Sequence, residues 1–131
     1  MTIDKANPTA CVIIIGNEIL SGRTQDVNLA HLGIELNEAG VTLAEARVIP
    51  DVAATIVDTV NECRAKFDYV FTTGGIGPTH DDITSECIAQ AFGVDYELNE
   101  TAHAILQAHY KPGELNEARL RMAKMPAGAE L

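Results

Sequence analysis

The chain has 131 residues, of which 47% are apolar and 21% charged, and these proportions exclude an intrinsically disordered protein. Nineteen acidic residues against nine basic ones give a net charge of −10, which argues against nucleic-acid binding through a basic patch. The longest apolar run, residues 10–15, is far too short to span a membrane.

The first part of the chain predicts a buried strand and a helix. Residues 10–15 are mostly β-branched, as in a strand covered on both faces of a parallel sheet, and Gly16 ends the run. A polar stretch then leads into a helix that Gly40 terminates. The apolar face of this helix consists of Leu29, Leu32 and Leu36.

A second strand and helix follow. Residues 41–49 are less apolar than the first strand, so we expect them to lie nearer the edge of the sheet. After Asp51, apolar residues recur at the spacing of an amphipathic helix. The members of this stripe are Ala53, Ile56, Val60, Cys63 and Phe67.

The second half begins with a third apolar strand, residues 69–73, which runs into a glycine-rich turn. The helical stripe after that turn ends at Gly93, and residues 94–98 alternate as a short, half-exposed strand. A further helix is broken at residues 111–113. Residues 115–125 predict a last helix before the final proline.

Alternating strands and helices predict the fold class α/β. We expect a three-layer α/β/α sandwich with a mostly parallel sheet, formed by residues 1–131 as a single domain. In such sheets ligands bind beyond the carboxyl ends of the strands. The loops predicted at those ends are residues 16–26, 49–51 and 73–84.

The cysteines and the N-terminus indicate the compartment. Cys11, Cys63 and Cys87 are odd in number and lie in apolar patterns, so we expect free core thiols instead of a disulfide or metal set. Residues 1–8 lack a basic stretch followed by a long apolar one. We therefore expect no signal peptide and a cytoplasmic protein.

The glycine turn is the first candidate for ligand binding. Gly74, Gly75 and Gly77 allow a ligand to approach the backbone, whose N–H groups point at an anion when such a turn follows a strand. Thr73 and Thr79 add hydroxyl donors. The structural alternative is a tight strand-to-helix connection that needs positive φ and nothing more.

Carboxylates near the turn favour a hard cation. Asp81 and Asp82 are adjacent and repel each other, so we expect one to cap the following helix and the other, preferably Asp82, to bind Mg²⁺. Asp51, directly after Pro50, is on sequence grounds a helix N-cap.

The remaining polar loop residues each have two interpretations. Glu18 and Asp26 lie near a metal or ribose, or are solvated loop acids. Arg23 neutralises a phosphate or is solvated, and Asn28 orders the helix start or contacts the ligand. His80 is placed to approach a phosphate or act as a general acid, although a solvated loop position explains it too.

Three motifs resemble one known family. Residues 16–23 (GNEILSGR), 26–28 (DVN) and 72–84 (TTGGIGPTHDDIT) are similar to the N-terminal domain of CinA-type competence/damage-inducible proteins. That domain belongs to the molybdopterin-binding superfamily of MoaB, MogA and the gephyrin G and E domains. The resemblance covers nearly the whole chain, with the motifs in order.

The resemblance implies an α/β/α fold, a pterin- or nucleotide-binding cleft over the glycine turn, and a homo-oligomer. For CinA-type members it implies metal-dependent hydrolysis of ADP-ribose-like pyrophosphates, and for MogA-like relatives adenylyl transfer to molybdopterin. Asp51 and Asp82 fall on carboxylates implicated in metal-assisted adenylyl transfer, and are the candidate catalytic residues. The family's fold continues into a strand and loop after the last residues seen here, so we expect a C-terminally truncated domain.

The sequence thus predicts a divalent-metal nucleotide pyrophosphatase, with molybdopterin adenylyltransferase or a non-catalytic pterin- or nucleotide-binding module as alternatives. The expected partners are small nucleotides or pterins, not nucleic acid or membranes. The candidate metal ligands are Asp51, Asp81 and Asp82. The candidate ligand contacts are Glu18, Ser21, Gly22, Arg23, Asp26, Asn28, Thr73, Gly74, Gly75, Gly77, Pro78, Thr79 and Thr84.

Overall fold

Three parallel strands form the central sheet of the computed structural model, which describes residues 7–131. They are β1 (Thr9–Ile15), β2 (Thr42–Ile49) and β3 (Tyr69–Thr73), in the order β2-β1-β3. β1 pairs on both sides and is buried from Ala10 onward, which its continuous apolar run predicts. β2 lies at one edge of these three strands, as its mixed composition indicates. The prediction about a signal peptide concerns residues that lie almost wholly outside the described range.

Helices cover both faces of the sheet. Two of them, α2 (Asn28–Glu38) and α3 (Ala53–Lys66), connect successive parallel strands, and α4 (Thr84–Phe92) follows β3. Cys11, Ile13 and Ile15 on one face of β1 pack in a common core with residues of α3 and α4. Alternate residues of β1 point to the opposite face and are also buried. The predicted α/β/α sandwich is therefore confirmed.

The glycine signals place two helix ends correctly. Gly40 follows α2 with φ 81°, and Gly93 follows α4 with φ 66°, both in the left-handed region that favours glycine. A four-residue helix, α1 (Asn17–Leu20), follows β1 within the stretch expected to be a polar loop. Its single turn is too short to produce a periodic apolar pattern.

The prediction of a helix over residues 115–125 is wrong in its second half. Only α6 (Glu117–Leu120) and a 3₁₀ turn (Arg121–Ala123) are helical. The next residues form β5 (Lys124–Pro126), which pairs antiparallel with β4 (Tyr96–Leu98). Since a residue before proline is disfavoured in the helical region, Met125 is biased toward extended backbone, and the pairing with β4 stabilises it there.

The helix after β4, α5 (Glu100–His109), begins with a side-chain cap. The side-chain oxygen of Asn99 accepts a hydrogen bond from the Ala102 N–H at 2.9 Å. We expect Asn99→Ala to lower the free energy of unfolding by about 1 kcal/mol, because a helix N–H loses its partner. Urea denaturation followed by circular dichroism measures the change. Asn99→Asp retains an acceptor and serves as the control; equal losses in both variants would contradict the capping role.

The expectation of free core thiols is confirmed. Cys11, Cys63 and Cys87 are buried and reduced, with 3.3 Å between the sulfurs of Cys11 and Cys63. Burial and the neighbouring Cys63 raise the pKa of Cys11 to about 12, so this thiol stays protonated. Glu45 lies within 4.8 Å of both sulfurs. Its carboxylate oxygens already pair with Arg47 and Lys66, which disfavours a cation there.

No helix within residues 7–131 combines the length and the apolar character that crossing a membrane requires.

Candidate functional site

The loops that follow β1 and β2 are fastened to each other at the carboxyl edge of the sheet. The Gly16 N–H donates to the Ile49 carbonyl at 3.0 Å. The Asp51 carboxylate accepts from the Asn17 N–H at 3.0 Å, and the Asn17 side-chain oxygen accepts from the Asp51 N–H at 3.4 Å. These reciprocal hydrogen bonds fix Asp51 at the rim of the sheet.

Asp51 is therefore not the N-cap that its position after Pro50 suggests. The residue at the cap of α3 is Val52, and no side chain caps this helix. The Asp51 carboxylate instead satisfies a backbone donor from another loop. Asn17 is not among the candidate site residues that the sequence predicts, although it lies within the motif of residues 16–23, directly after the glycine that ends β1.

The glycine turn packs directly against the end of β1. A Cβ atom on Gly74 would lie 2.0 Å from the Ile15 carbonyl oxygen, and the φ of Gly74 is 89°. The Thr84 hydroxyl donates to the Gly74 carbonyl at 2.9 Å, and the Thr84 N–H donates to the Gly75 carbonyl at 3.1 Å. Thr84 is only 2% exposed, and its two hydrogen bonds hold the turn in place. The sequence suggested that Thr84 contacts a ligand, but its side chain is buried under the turn.

Asp82 closes the loop between the turn and α4. Its carboxylate accepts hydrogen bonds from the Thr79 N–H at 3.0 Å and from the Thr79 hydroxyl at 2.7 Å. The expectation that Asp81 or Asp82 caps α4 is wrong. Ile83 occupies the cap position without a side-chain hydrogen bond, because the Asp82 carboxylate is turned back into its own loop.

The electrostatic setting keeps Asp82 ionised. Partial burial disfavours its charged form, but hydrogen bonds from the Thr79 hydroxyl and from the N–H groups of Thr79 and Gly77 outweigh that effect. Attraction to Arg121 acts in the same direction. Together they lower the pKa of Asp82 below its ordinary value, so a full carboxylate charge faces the rim at neutral pH.

Acidification tests this contact. Because the pKa of Asp82 is lowered on folding from its ordinary 3.8, its ionised form stabilises the fold above that value, and the contribution is lost as the pH falls through the folded pKa. We expect the difference in free energy of unfolding between wild type and Asp82→Asn to be larger near neutral pH than in strong acid. Urea denaturation at both pH values measures it, and a pH-independent difference would contradict the assignment.

His80 and Asp81 project from the tip of the same loop. His80 Nε2 lies 3.3 Å from an Asp81 carboxylate oxygen, and their side chains are 87% and 79% exposed. This placement agrees with a solvated loop histidine. Asp81 nevertheless also lines a hollow at the rim of the sheet, together with Asp51 and Asp82.

The three loops enclose a hollow of about 550 Å³, which we call the main hollow. Four carboxylates and one guanidinium line it together with Asn17, Gly75 and Thr79. The charged residues are Glu18, Arg23, Asp51, Asp81 and Asp82. The loops after all three strands therefore converge on one surface, which is strongly acidic.

A neighbouring side hollow of about 210 Å³ shares Glu18 with the main hollow. Asp26, Asn28, Thr73 and Gly74 line it. The Asp26 carboxylate accepts from the N–H groups of Asn28 and Leu29, so it also orders the start of α2. Ser21, Gly22 and Pro78 line neither of these hollows, and Gly77 faces a third one on the far side of the turn.

These features define a class of protein: an α/β domain with a glycine turn and converging carboxylates at the carboxyl edge of a parallel sheet. A family described as a probable molybdopterin binding domain matches residues 11–128. The chain belongs to this family, as a CinA-type member of the MoaB/MogA superfamily.

Several relatives support this membership. A CinA-like protein of Citrifermentans bemidjiense is 39% identical over 122 residues, covering 92% of this chain and 30% of the relative. The crystal structure of the protein CinA from Thermoplasma acidophilum superposes with a TM-score of 0.87 at 36% identity, covering 94% of this chain and 73% of that one. The tungsten cofactor synthesizing protein MoaB from Pyrococcus furiosus gives 0.60 at 25% identity, covering 80% and 66%.

This chain spans about half the length of the curated relatives that it matches. A protein of Caldivirga maquilingensis, for example, is 42% identical over 123 residues, which are 92% of this chain and 48% of that relative.

Proposed function

We propose that this domain binds a ligand with a pyrophosphate group over the glycine turn and hydrolyses an ADP-ribose-like pyrophosphate with the help of Mg²⁺. The observation that carries the proposal is that Asp51 and Asp82 line the same hollow as Gly75, although they follow different strands. Glycine backbone that a phosphate is able to approach, with fixed carboxylates beside it, is the arrangement that phosphoryl chemistry requires.

The chemistry of the donor set fits Mg²⁺. Mg²⁺ prefers oxygen ligands and usually binds through one or two carboxylates together with substrate phosphates. Asp51 and Asp82 would hold it, and Asp81 lines the same hollow. Among residues 7–131, no histidine or cysteine lines the main hollow, so its donors do not favour a softer metal. When bound, Mg²⁺ polarises phosphate oxygens and offsets the charge that develops on the leaving group.

The chain's own residues provide positioning. Hydrogen bonds from Asn17 to Asp51 and from Thr79 to Asp82 keep the two carboxylates in place without the ligand. Such preorganisation reduces what the site must rearrange when substrate binds. Arg23 contributes a guanidinium to the lining of the main hollow and is suited to a phosphate oxygen. Asp26 and Thr73 line the side hollow and would contact ribose hydroxyls there.

The reaction has defined products. Water attacks one phosphorus of ADP-ribose, the bridging P–O bond breaks, and AMP and ribose 5-phosphate are released. The test is to incubate the wild-type chain with ADP-ribose in Mg²⁺ and in EDTA and to separate the products by chromatography. Products that form only with Mg²⁺ support the proposal. Absence of AMP under both conditions, at protein concentrations that bind ADP-ribose, would overturn the hydrolytic part.

The alternative enzyme is a molybdopterin adenylyltransferase. The similarity to the tungsten cofactor synthesizing protein MoaB of Pyrococcus furiosus favours this interpretation. ATP and molybdopterin would then give adenylylated molybdopterin and pyrophosphate. Tight ligand binding that is independent of Mg²⁺, without turnover of either substrate pair, would instead indicate a non-catalytic binding module.

A further inference from the structure

A third hollow lies on the other side of the glycine turn from the main hollow and has the opposite charge. It has a volume of about 250 Å³ and is bounded by the turn, the start of α4 and the β4–β5 pair. Gly75 and Asp82 line both hollows, so the two hollows adjoin at these residues. The other residues that matter here are Gly77, Tyr96, Arg121 and Lys124. We call it the basic hollow.

Arg121 and Lys124 stand out in a chain with a net charge of −10. Neither forms an ion pair with any carboxylate of residues 7–131, whereas Arg47 and Lys66 both do. Arg64 and Arg119 are held by backbone carbonyls and by aromatic rings. Arg121 faces Asp82 closely enough to lower its pKa without pairing with it. Two positive side chains that form no ion pair within residues 7–131 therefore line the same cavity.

The wall of the basic hollow is built by defined contacts. The Ser85 hydroxyl donates to the Lys124 carbonyl at 3.3 Å, which ties α4 to β5. The Lys124 ammonium lies 5.8 Å from the centre of the Tyr96 ring. Burial raises the pKa of Tyr96, so the ring remains a neutral phenol that offers an apolar face and a hydroxyl.

We propose that the basic hollow is an oxyanion subsite in which Arg121 and Lys124 bind a phosphate group of the ligand, with Tyr96 alongside. This inference deepens the proposed function, because it names a second contact region for the same ligand. A pyrophosphate that spans the two hollows at Gly75 would have one phosphate in the main hollow, beside the proposed cation, and the other in the basic hollow, beside Arg121. The acidic residues at the glycine turn then have a role complementary to that of Arg121 in the 3₁₀ turn and Lys124 in β5.

The experiment uses inorganic pyrophosphate as the probe, in EDTA, so that neither metal nor nucleoside contributes. We expect isothermal titration of the whole chain to show that Arg121→Gln and Lys124→Gln each weaken binding about tenfold, as loss of a charge-assisted hydrogen bond would. Lys111→Gln removes an equal charge from an exposed position outside the basic hollow and should change affinity less than about twofold. Circular dichroism confirms that each variant is folded.

The outcomes separate this inference from the proposed function. If wild type does not bind pyrophosphate, or if all three variants weaken equally, the subsite is overturned even where ADP-ribose is hydrolysed. If Arg121→Gln and Lys124→Gln alone lose affinity, the subsite stands even where no ADP-ribose is cleaved. Asp82→Asn provides a further check: it should strengthen pyrophosphate binding in EDTA, because it removes the negative charge shared by the two hollows.

Discussion

Gly74→Ala is expected to destabilise the protein by roughly 3 kcal/mol or more, because strained backbone and a steric clash act together. The φ of Gly74 is 89°, which L-residues with a side chain rarely adopt. The new methyl group would also lie 2.0 Å from the Ile15 carbonyl oxygen. Ile15 belongs to the central strand, which pairs with β2 and β3 on its two sides, so this atom has little freedom to move.

Gly40→Ala is the matched control for this prediction. Gly40 has φ 81°, but no atom of the described residues 7–131 lies within 4 Å of the position its Cβ would occupy. We expect a loss of about 1 kcal/mol from backbone strain alone. Urea denaturation of both variants therefore isolates the clash. Equal losses would mean that the turn after β3 moves away from β1 easily, and that its position at the rim is not fixed by packing.

The sheet and its crossover helices were predictable because their signals are local and repeated. The apolar run of β1 marks a central strand, and the stripe from Ile56 to Cys63 marks a helix facing the core. The antiparallel pairing of β4 with β5 was not predictable in this way. Its residues are separated by a helical segment, and the spacing of Met122 and Met125 agrees with a helix when tertiary pairing is ignored.

For the site, too, the sequence predicted some features and missed others. Convergence of the loops after β1, β2 and β3 followed from the geometry of parallel sheets, and the structure places Gly75 and Asp51 in one hollow with Asp26 next to it. The hydrogen-bond partners did not follow. Asp51 and Asp82 both look like helix caps from their local sequence, and in both cases a loop donor takes the carboxylate instead. Arg121 in the 3₁₀ turn and Lys124 in β5 line a hollow with the glycine turn, and their local sequence gives no sign of this placement.

The second large effect is expected for Asp82→Asn. We expect it to reduce Mg²⁺-dependent cleavage of ADP-ribose by at least about 100-fold, because a carboxylate proposed to hold the metal becomes a neutral amide. The amide oxygen is still able to accept from Thr79, so the loop should keep its shape and the protein should remain folded. Asp51→Asn should behave alike, since its amide oxygen still accepts from the Asn17 N–H.

A matched control and a metal titration complete this prediction. Asp58→Asn removes an equal charge from an exposed position on α3 and should leave the rate within about twofold, since a single distant surface charge is screened. If Asp82 and Asp51 hold the cation, raising Mg²⁺ should partly restore turnover in either variant, because weakened metal affinity is offset by mass action. Wild-type rates in both variants would remove these carboxylates from the mechanism. A loss that Mg²⁺ does not relieve would assign Asp82 to orienting water or substrate, because its charge would then matter after the metal is bound.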